Sequence, residues 1–325
     1  MTAAAAVRKS ARRAHRSRAR TAPPAAEKAR PATTASAPSA APPADPRPGT
    51  DAARAVAALL DEHGGKIRAL ALRMCGNAAD AEDMVQEVFL QAFRRWHTFR
   101  GESSPGTWLY AIASRSCKGR LRRKGGVNRA VPTFSQLLPW SETQVTSLAA
   151  SGEDSTQQAE RAEAIAGVQR EIARLPEHFR VPLVLKEVLG LPVEDAARAL
   201  GLKPDTIKTR VHRARLMLRK ALLRKSERTA ATPPAYEKQV CLDLLQTKLA
   251  AMDRGREESF AVTQSELCNR CRAIFAELDL VQDACADMAE GGLPPQLRAA
   301  IVRALGERGA AETPVRGRGR RPVRG

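Results

Sequence analysis

The stretch GLPVEDAARALGLKPDTIKTRVHRARLMLRKAL, residues 190–222, constrains this chain most. It reads as two short helices joined by a tight turn. Val193, Ala196, Ala197 and Leu200 recur at helical spacing in the first helix. Gly201 can take the left-handed conformation that ends it. Pro204 suits the first turn of the second helix, where a missing N–H costs nothing. That helix places Ile207, Val211, Ala214 and Leu218 on one face, in steps of three and four. Lys203, Lys208, Arg210, Arg213, Arg215, Arg219 and Lys220 take the faces left over. A helix-turn-helix with a cationic second helix is built to enter the major groove of duplex DNA.

The global charge agrees. The chain has 325 residues and a formal charge of +19, which favours a polyanionic partner. No apolar run approaches the roughly 20 residues of a membrane span. The N-terminus lacks the apolar core of a secretory signal, so a cytoplasmic protein without membrane insertion is expected. Six cysteines in a chain this long do not make a disulfide scaffold.

Periodicity divides the chain. Residues 1–50 are rich in Ala, Pro, Arg and Ser and read as a disordered basic arm; organelle import is a minor alternative for such a segment. Residues 51–125 form a first helical unit and 126–160 a linker without periodicity. Residues 161–226 hold the helix-turn-helix, and TAATPPA at 229–235 reads as a hinge. A Cys-containing helical extension spans 236–308, and a basic tail spans 309–325. No alternating strand pattern of useful length occurs. The expected fold is all-α: two helical modules joined by a flexible linker, with a small C-terminal helical domain and disordered basic tails.

Within the first unit, residues 78–99 predict one long amphipathic helix. Its buried stripe is Ala81, Val85, Val88, Phe89, Ala92, Phe93 and Trp96. Asp80, Asp83 and Glu87, beside Gln86, line another face. Such a stripe is either a solvated helix face or a docking surface for a basic protein. Half of the chain's twelve aromatics fall between Phe89 and Tyr110, and Arg115, Lys118, Arg120, Arg122, Arg123 and Lys124 follow. Rings beside cations suit single-stranded nucleic acid, because bases stack while phosphates meet Lys and Arg. Phe89, Phe93 and Trp96 belong to the core stripe. Phe99, Trp108 and Tyr110 stay open as stacking candidates.

These residues carry a resemblance. DAEDMVQEVFLQAFRRWHTFRGESSPGTWLYAIASRSCKGRLRRK is similar to region two of the extracytoplasmic-function (ECF) class of bacterial RNA polymerase sigma factors. LPEHFRVPLVLKEVLGLPVEDAARALGLKPDTIKTRVHRARLMLRKAL resembles their region four, and the two blocks stand in the family's order. The resemblance implies a sigma factor that binds core RNA polymerase, recognises the −10 and −35 elements of promoter DNA and performs no covalent chemistry. It implies polymerase docking by Asp80, Asp83, Gln86 and Glu87, and −10 reading around Phe99, Trp108, Tyr110 and Arg115. It places Lys208, Thr209, His212 and Arg213 at base edges of the −35 element, with Arg213 the best single discriminator. Lys203, Arg210 and Arg215 are assigned to phosphates or packing. Family members often carry an aromatic and then a basic residue where this chain has Pro105 and Gly106.

The segment 236–279 resembles the small zinc-binding domain of anti-sigma factors, whose pattern is a cysteine, a spacer, then His-x3-Cys-x2-Cys. Cys241, Cys268 and Cys271 fit, and Gln264 stands in the histidine position. A zinc ion would need a fourth donor, such as Cys285 or Glu266. A redox pair and a metal-free helical domain are the alternatives. Cys75 and Cys117 read as core. Fused to a sigma factor, the extension implies regulation in cis, and a separate anti-sigma factor is a further candidate partner.

Two rival functions stay open. A helix-turn-helix regulator acting without core polymerase leaves the acidic stripe and the aromatic-basic block unused. A nuclease or metal hydrolase finds no phosphate loop, and His15, His63, His97, His178 and His212 show no ligand spacing.

Overall fold

The computed structural model describes residues 51–123, 131–146, 155–224, 228–254, 262–263, 266–289 and 292–312. The basic arm, the basic tail beyond 312 and Gln264 lie outside them. Eleven α-helices occur among the described residues: α1 (Ala52–Cys75), α2 (Ala78–Arg95), α3 (Pro105–Arg123), α4 (Phe134–Leu137), α5 (Ser155–Ile172), α6 (Glu177–Leu183), α7 (Val193–Leu200), α8 (Pro204–Leu223), α9 (Lys238–Arg254), α10 (Asn269–Ala286) and α11 (Pro295–Glu312). The chain divides into two compact units. Among the described residues, one holds 51–123 and 292–312, and the other holds 131–197 and 201–289.

The first unit packs α1, α2 and α3 together, with α11 against α1 and α2. Asp51 caps α1 by accepting from the Arg54 N–H at 3.1 Å. Gly76 ends it at φ +83°, a conformation glycine takes without a Cβ penalty. Asn77 then caps α2 through the Asp80 N–H at 2.8 Å. The stripe expected from periodicity is the buried one: Ala81, Val85, Val88, Phe89, Ala92, Phe93 and Trp96 are all within the core. The long helix expected over 78–99 stops at Arg95 and tightens to a 3₁₀ turn over Trp96–Thr98. Pro105 opens α3, and Gly106 follows for a steric reason. A Cβ there would lie 2.6 Å from His63 Nε2.

Helix α11 buries Leu297, Ile301 and Leu305. Arg298 pairs with Asp61 at 2.7 Å, but both side chains are about half exposed. An exposed pair contributes about 0–1 kcal/mol, against roughly 1.5–3 kcal/mol for each buried aliphatic side chain. Packing therefore holds this helix. Leu293, just before it, closes onto Gly64 of α1, where a Cβ would meet Leu293 Cδ2 at 3.0 Å.

The second unit is built around α8. Helices α5, α6 and α10 pack on it, as does α4 from the linker. Pro182 lies inside α6, and a π turn over Val184–Val188 follows, closed by the Leu189 N–H on the Val184 carbonyl at 2.9 Å. Gly201 sits at φ +65° before α8, and Pro204 is its first residue, as the sequence pattern requires. Leu137, Val145, Leu216, Leu244, Leu249, Ile274, Phe275 and Leu278 share one core, which joins the linker, α8, α9 and α10.

Three sequence expectations change here. The stretch read as an aperiodic linker contributes α4, a 3₁₀ turn over Pro139–Ser141 and a strand, and α5 begins at Ser155 within it. The stretch read as a hinge begins in a strand: β1 (Gln144–Thr146) pairs antiparallel with β2 (Arg228–Ala230), Val145 opposite Thr229. Strands of three residues are too short for a period of two to show. The extension is also not a body of its own. Helices α9 and α10 belong to the second unit and α11 to the first. The fold remains all-helical apart from this small ladder.

Candidate nucleic-acid interface

Helix α8 carries both a buried face and a polar one. Ile207, Val211, Ala214 and Leu218 are buried. Lys203 is the N-cap residue, and it and Thr209 are exposed. The Thr209 hydroxyl donates to the Asp205 carbonyl at 2.8 Å. Lys208 lies 3.7 Å from Asp205, and Arg210 is half-buried. The first two turns thus present Lys203, Lys208, Thr209 and Arg210 together.

Further along, the cations are engaged from within the unit. His212 Nε2 lies 2.8 Å from Asp253 Oδ2, on α9. Arg213 donates to the Pro132 carbonyl at 2.8 Å, and its guanidinium sits 5.1 Å above the Phe179 ring. Arg215 is 1% exposed and pairs with Glu187 at 2.5 Å and Asp253 at 2.8 Å. Arg219 is fully buried, with Glu277 of α10 at 2.7 Å and Glu142 at 2.5 Å. Arg215 therefore packs, one of the two roles expected of it, whereas Arg219, expected on a face left over from the apolar stripe, is buried. A buried guanidinium without partners is prohibitively costly, and the acids that offset that cost come from the linker, the π turn and the extension. Burial by itself would lower the Arg215 pKa, but Glu187 and Asp253 outweigh it and hold it raised. Burial likewise works to raise the Asp253 carboxyl. The hydrogen bond from His212 and the charge of Arg215 overcome it and leave the group below the usual carboxylate range. His178, beside this face, is lowered by burial and then by Arg210 and Arg213.

In the first unit, Asp83 is exposed and Asp80, Gln86 and Glu87 are half-buried on α2. Asp80 accepts from Asn77 Nδ2 at 2.6 Å and Glu87 from Gln91 at 2.7 Å. The aromatic cluster is tight. Trp96 stacks on Phe99 at 5.0 Å, and Trp108 meets Trp96 edge-on at 5.6 Å. Phe99 is 6% exposed and Tyr110 4%. The Tyr110 hydroxyl lies 3.3 Å from His63 Nδ1, and burial, then Glu62, pushes its pKa up. Phe99 and Tyr110 are therefore core rings here, not open stacking platforms. Trp108, half-buried, and Arg115, exposed, are the members of that group that reach the surface.

Three of the four cysteines of the extension, Cys241, Cys268 and Cys271, pack on one core. The Cys241 thiol faces the Tyr236 carbonyl at 3.8 Å. Its interaction with Cys271, against the opposing effect of burial and helped by Arg270, lowers it to about 7, while Cys271 is pushed up. The donor set does not fit a structural zinc ion. Among the described residues no group of three or more His, Cys, Asp or Glu is arranged to hold a metal. Glu266, one candidate fourth donor, already accepts from the Thr263 N–H and hydroxyl at 2.9 Å. Cys285, the other, is fully buried. Cys117 is buried against Met84 as expected, and Cys75 also approaches the Met84 sulfur.

Sequence reasoning missed Glu142, Asp253 and Glu277. Each lies tens of residues from the cation it holds, and nothing local marks it. Among the described residues no helix is long and apolar enough to cross a membrane.

Comparison with known proteins follows the same division. Residues 59–127 match the Sigma-70 region 2 family and residues 166–218 match Sigma-70, region 4. The RNA polymerase sigma-H factor of Pseudomonas aeruginosa is 35% identical over 170 residues, covering 52% of this chain and 86% of that protein. The ECF RNA polymerase sigma factor SigW of Bacillus subtilis is 33% identical over 171 residues, with 52% and 89% covered. The ECF RNA polymerase sigma factor SigE of Mycolicibacterium smegmatis is 31% identical over 176 residues, and the match spans 53% of this chain and 63% of that protein. Helices α9, α10 and α11 lie beyond both matched regions. Two regions in the family's order, on a unit with an acidic helix and a unit with a helix-turn-helix, place this chain in the ECF family of RNA polymerase sigma factors, which are transcription initiation factors and not enzymes.

Proposed function

We propose that this chain selects promoters for core RNA polymerase, and that its C-terminal helices restrain its own −35-reading helix. Lys208, Thr209, His212 and Arg213 read base edges of the −35 element, and Lys203 and Arg210 hold phosphates. Trp108 and Arg115 meet the −10 strand as the duplex opens. Asp80, Asp83, Gln86 and Glu87 form the acidic face that grips a cationic surface of the polymerase.

The observation that carries the restraint is the capture of His212 by Asp253 at 2.8 Å. A side chain cannot serve Asp253 and a base edge at once. Arg213 is held in the same way by the Pro132 carbonyl. Release of α9 from α8 and entry of α8 into the major groove are then one equilibrium, and core polymerase with its promoter competes against the internal acids.

The test is run-off transcription with purified core polymerase on a library of genomic promoter fragments, beside gel shifts with and without core enzyme. Defined transcripts and tight promoter binding that requires core enzyme are expected. Tight, sequence-specific binding by the chain alone, with no transcripts, would overturn the reading in favour of a stand-alone regulator.

A further inference from the structure

A cleft of about 480 Å³ lies within the second unit, where α4, the end of α5 and the end of α8 come together. Small-molecule sites occupy roughly 300–1,000 Å³. The floor of the cleft is apolar. Leu137 of α4, Leu175 and, on α8, Leu218 and Ala221 are buried there, with Met217 beside them. Its rim is cationic and reaches solvent: Arg224 is exposed, Arg174 about half exposed and Lys220 partly so. Among the described residues that line the cleft, Glu171 is the one carboxylate, and it is buried and already held by Arg174 at 2.5 Å. Lys220 Nζ donates to the Gln136 carbonyl at 2.8 Å. An ammonium has three donors and a guanidinium five, so both groups keep donors for a ligand. Water is a poor filling for such a floor, because it finds few hydrogen-bond partners against three leucines. The complementary ligand has an apolar body and a negative head.

We propose that this cleft binds a small amphipathic anion, an alkyl or acyl chain that ends in a carboxylate or a phosphate. The chain lies on Leu137, Leu175 and Leu218, and the head sits at the rim between Lys220, Arg174 and Arg224. Charge-assisted contacts to the head orient the ligand, and burial of the chain supplies the larger part of the affinity.

The consequence reaches DNA. Pro132 also lines the cleft, and its carbonyl holds Arg213 of α8 at 2.8 Å. A ligand that touches the linker, the end of α5 and α8 together binds only the arrangement in which the linker lies against α8. It favours that arrangement by mass action and keeps Arg213 on the Pro132 carbonyl, away from a base edge. The amphiphile is then a corepressor, and promoter DNA weakens its binding in return. This step rests on the proposed reading of the −35 element by Arg213.

The full-length chain is titrated by calorimetry with decanoate and with decyl phosphate, each below its micelle concentration. Decanol and inorganic phosphate serve as body-only and head-only controls. One saturable site per chain is expected for at least one amphiphile, with both controls weaker by about tenfold or more, the loss of a single charge-assisted contact. Binding of decanoate alone assigns a carboxylate head, and binding of decyl phosphate alone a phosphate head. Lys220→Gln should weaken the amphiphile about tenfold with unchanged circular dichroism. Ala221→Phe, which fills the cleft and leaves its charge alone, should abolish binding. Decanol binding as tightly as the amphiphiles, full affinity in Lys220→Gln, or no saturable site for either amphiphile would each overturn the site. In a second arm, promoter binding with core polymerase is compared with and without the amphiphile that bound. A reduction of about fivefold or more, the low end of coupling between linked sites, that is absent from Lys220→Gln at the same concentration is expected. Equal promoter binding with the cleft filled would overturn the coupling. Absence of transcripts from the ligand-free protein would instead count against the sigma-factor reading, and the calorimetry would be unaffected.

Discussion

Replacing Asp253 by Asn should weaken the fold and strengthen DNA binding at the same time. Asp253 is 9% exposed and serves two partners, His212 and the Arg215 guanidinium, each at 2.8 Å. Removing one partner of a buried ion pair costs about 3–5 kcal/mol when the other charge is left bare. Arg215 is not left bare, since Glu187 stays at 2.5 Å. Asn also keeps an acceptor oxygen, so the loss should fall to about 2–3 kcal/mol. Urea unfolding read by circular dichroism measures it. The same loss relaxes the hold on His212 and moves the closed-to-open equilibrium by roughly 30- to 150-fold, at tenfold per 1.4 kcal/mol. The gain in promoter affinity is bounded by how far the wild-type chain lies on the closed side. Glu187→Gln is the control: it removes an Arg215 partner and leaves Asp253 on His212, so it should destabilise without raising affinity. The reasoning fails if Asp253→Asn leaves stability unchanged, or if it binds promoter DNA with core polymerase no better than Glu187→Gln does.

Acid should loosen the second unit in two stages. His178 has a depressed pKa, so the fold holds it neutral; that contribution is complete above the unfolded value of 6.5 and is lost as pH falls below it. Asp253 is also depressed, and its contribution is lost at lower pH, below the ordinary carboxylate value of 3.8. Melting temperature measured from pH 7.5 down to 3 should fall in both windows, and His178→Asn should flatten the upper one. Arg213→Ala should reduce discrimination at one −35 base pair by about 1–3 kcal/mol, read by competition gel shifts with single-base variants; full base preference in the mutant would remove Arg213 from the base-reading set. Gly106→Ala puts a Cβ 2.6 Å from the His63 ring and should cost about 1–3 kcal/mol, with much of it recovered in the double mutant with His63→Ala. Ile301→Ala on α11, at a site 1% exposed, should destabilise the first unit by about 2–4 kcal/mol, as measured by thermal unfolding.

Features that depend on neighbours a few residues apart were open to reading from the chain alone. The α2 stripe, the glycine before α8, the proline that starts it and its inner face all follow from helical period and local backbone chemistry, and each stands where those rules put it. Features that depend on distant partners were closed to it. Arg219 finds Glu142 across 77 residues and Glu277 across 58. Gly106 answers to His63, on a different helix. Phe99 and Tyr110 look like stacking rings beside a basic run until Trp96, Trp108 and His63 close around them. A strand of three residues whose partner lies more than eighty positions away shows no alternation to detect.

The cations of α8 show why this matters for function. By sequence they form one basic helix, with some charges assigned to base edges and others to phosphates or packing. The fold divides them into sets. Lys203, Lys208 and Arg210 stand toward the open end, while Arg215 and Arg219 are buried and their charge is used up inside the protein. Burying two guanidinium groups is tolerable because Glu142, Glu187, Asp253 and Glu277 surround them. Three of those four acids lie outside the matched region-four segment, in the linker and the extension. Helices α9 and α10 are thus joined to α8 through its own charges as well as through shared core. His212 and Arg213 sit at the boundary between the sets, His212 held by Asp253 and Arg213 by the Pro132 carbonyl and the Phe179 ring. A shift of α9 large enough to break one hydrogen bond frees His212 while Glu187 still neutralises Arg215. On the proposed reading, the boundary residues exchange an internal acceptor for a base edge without exposing a bare buried charge, and the restraint is released at this part of the helix.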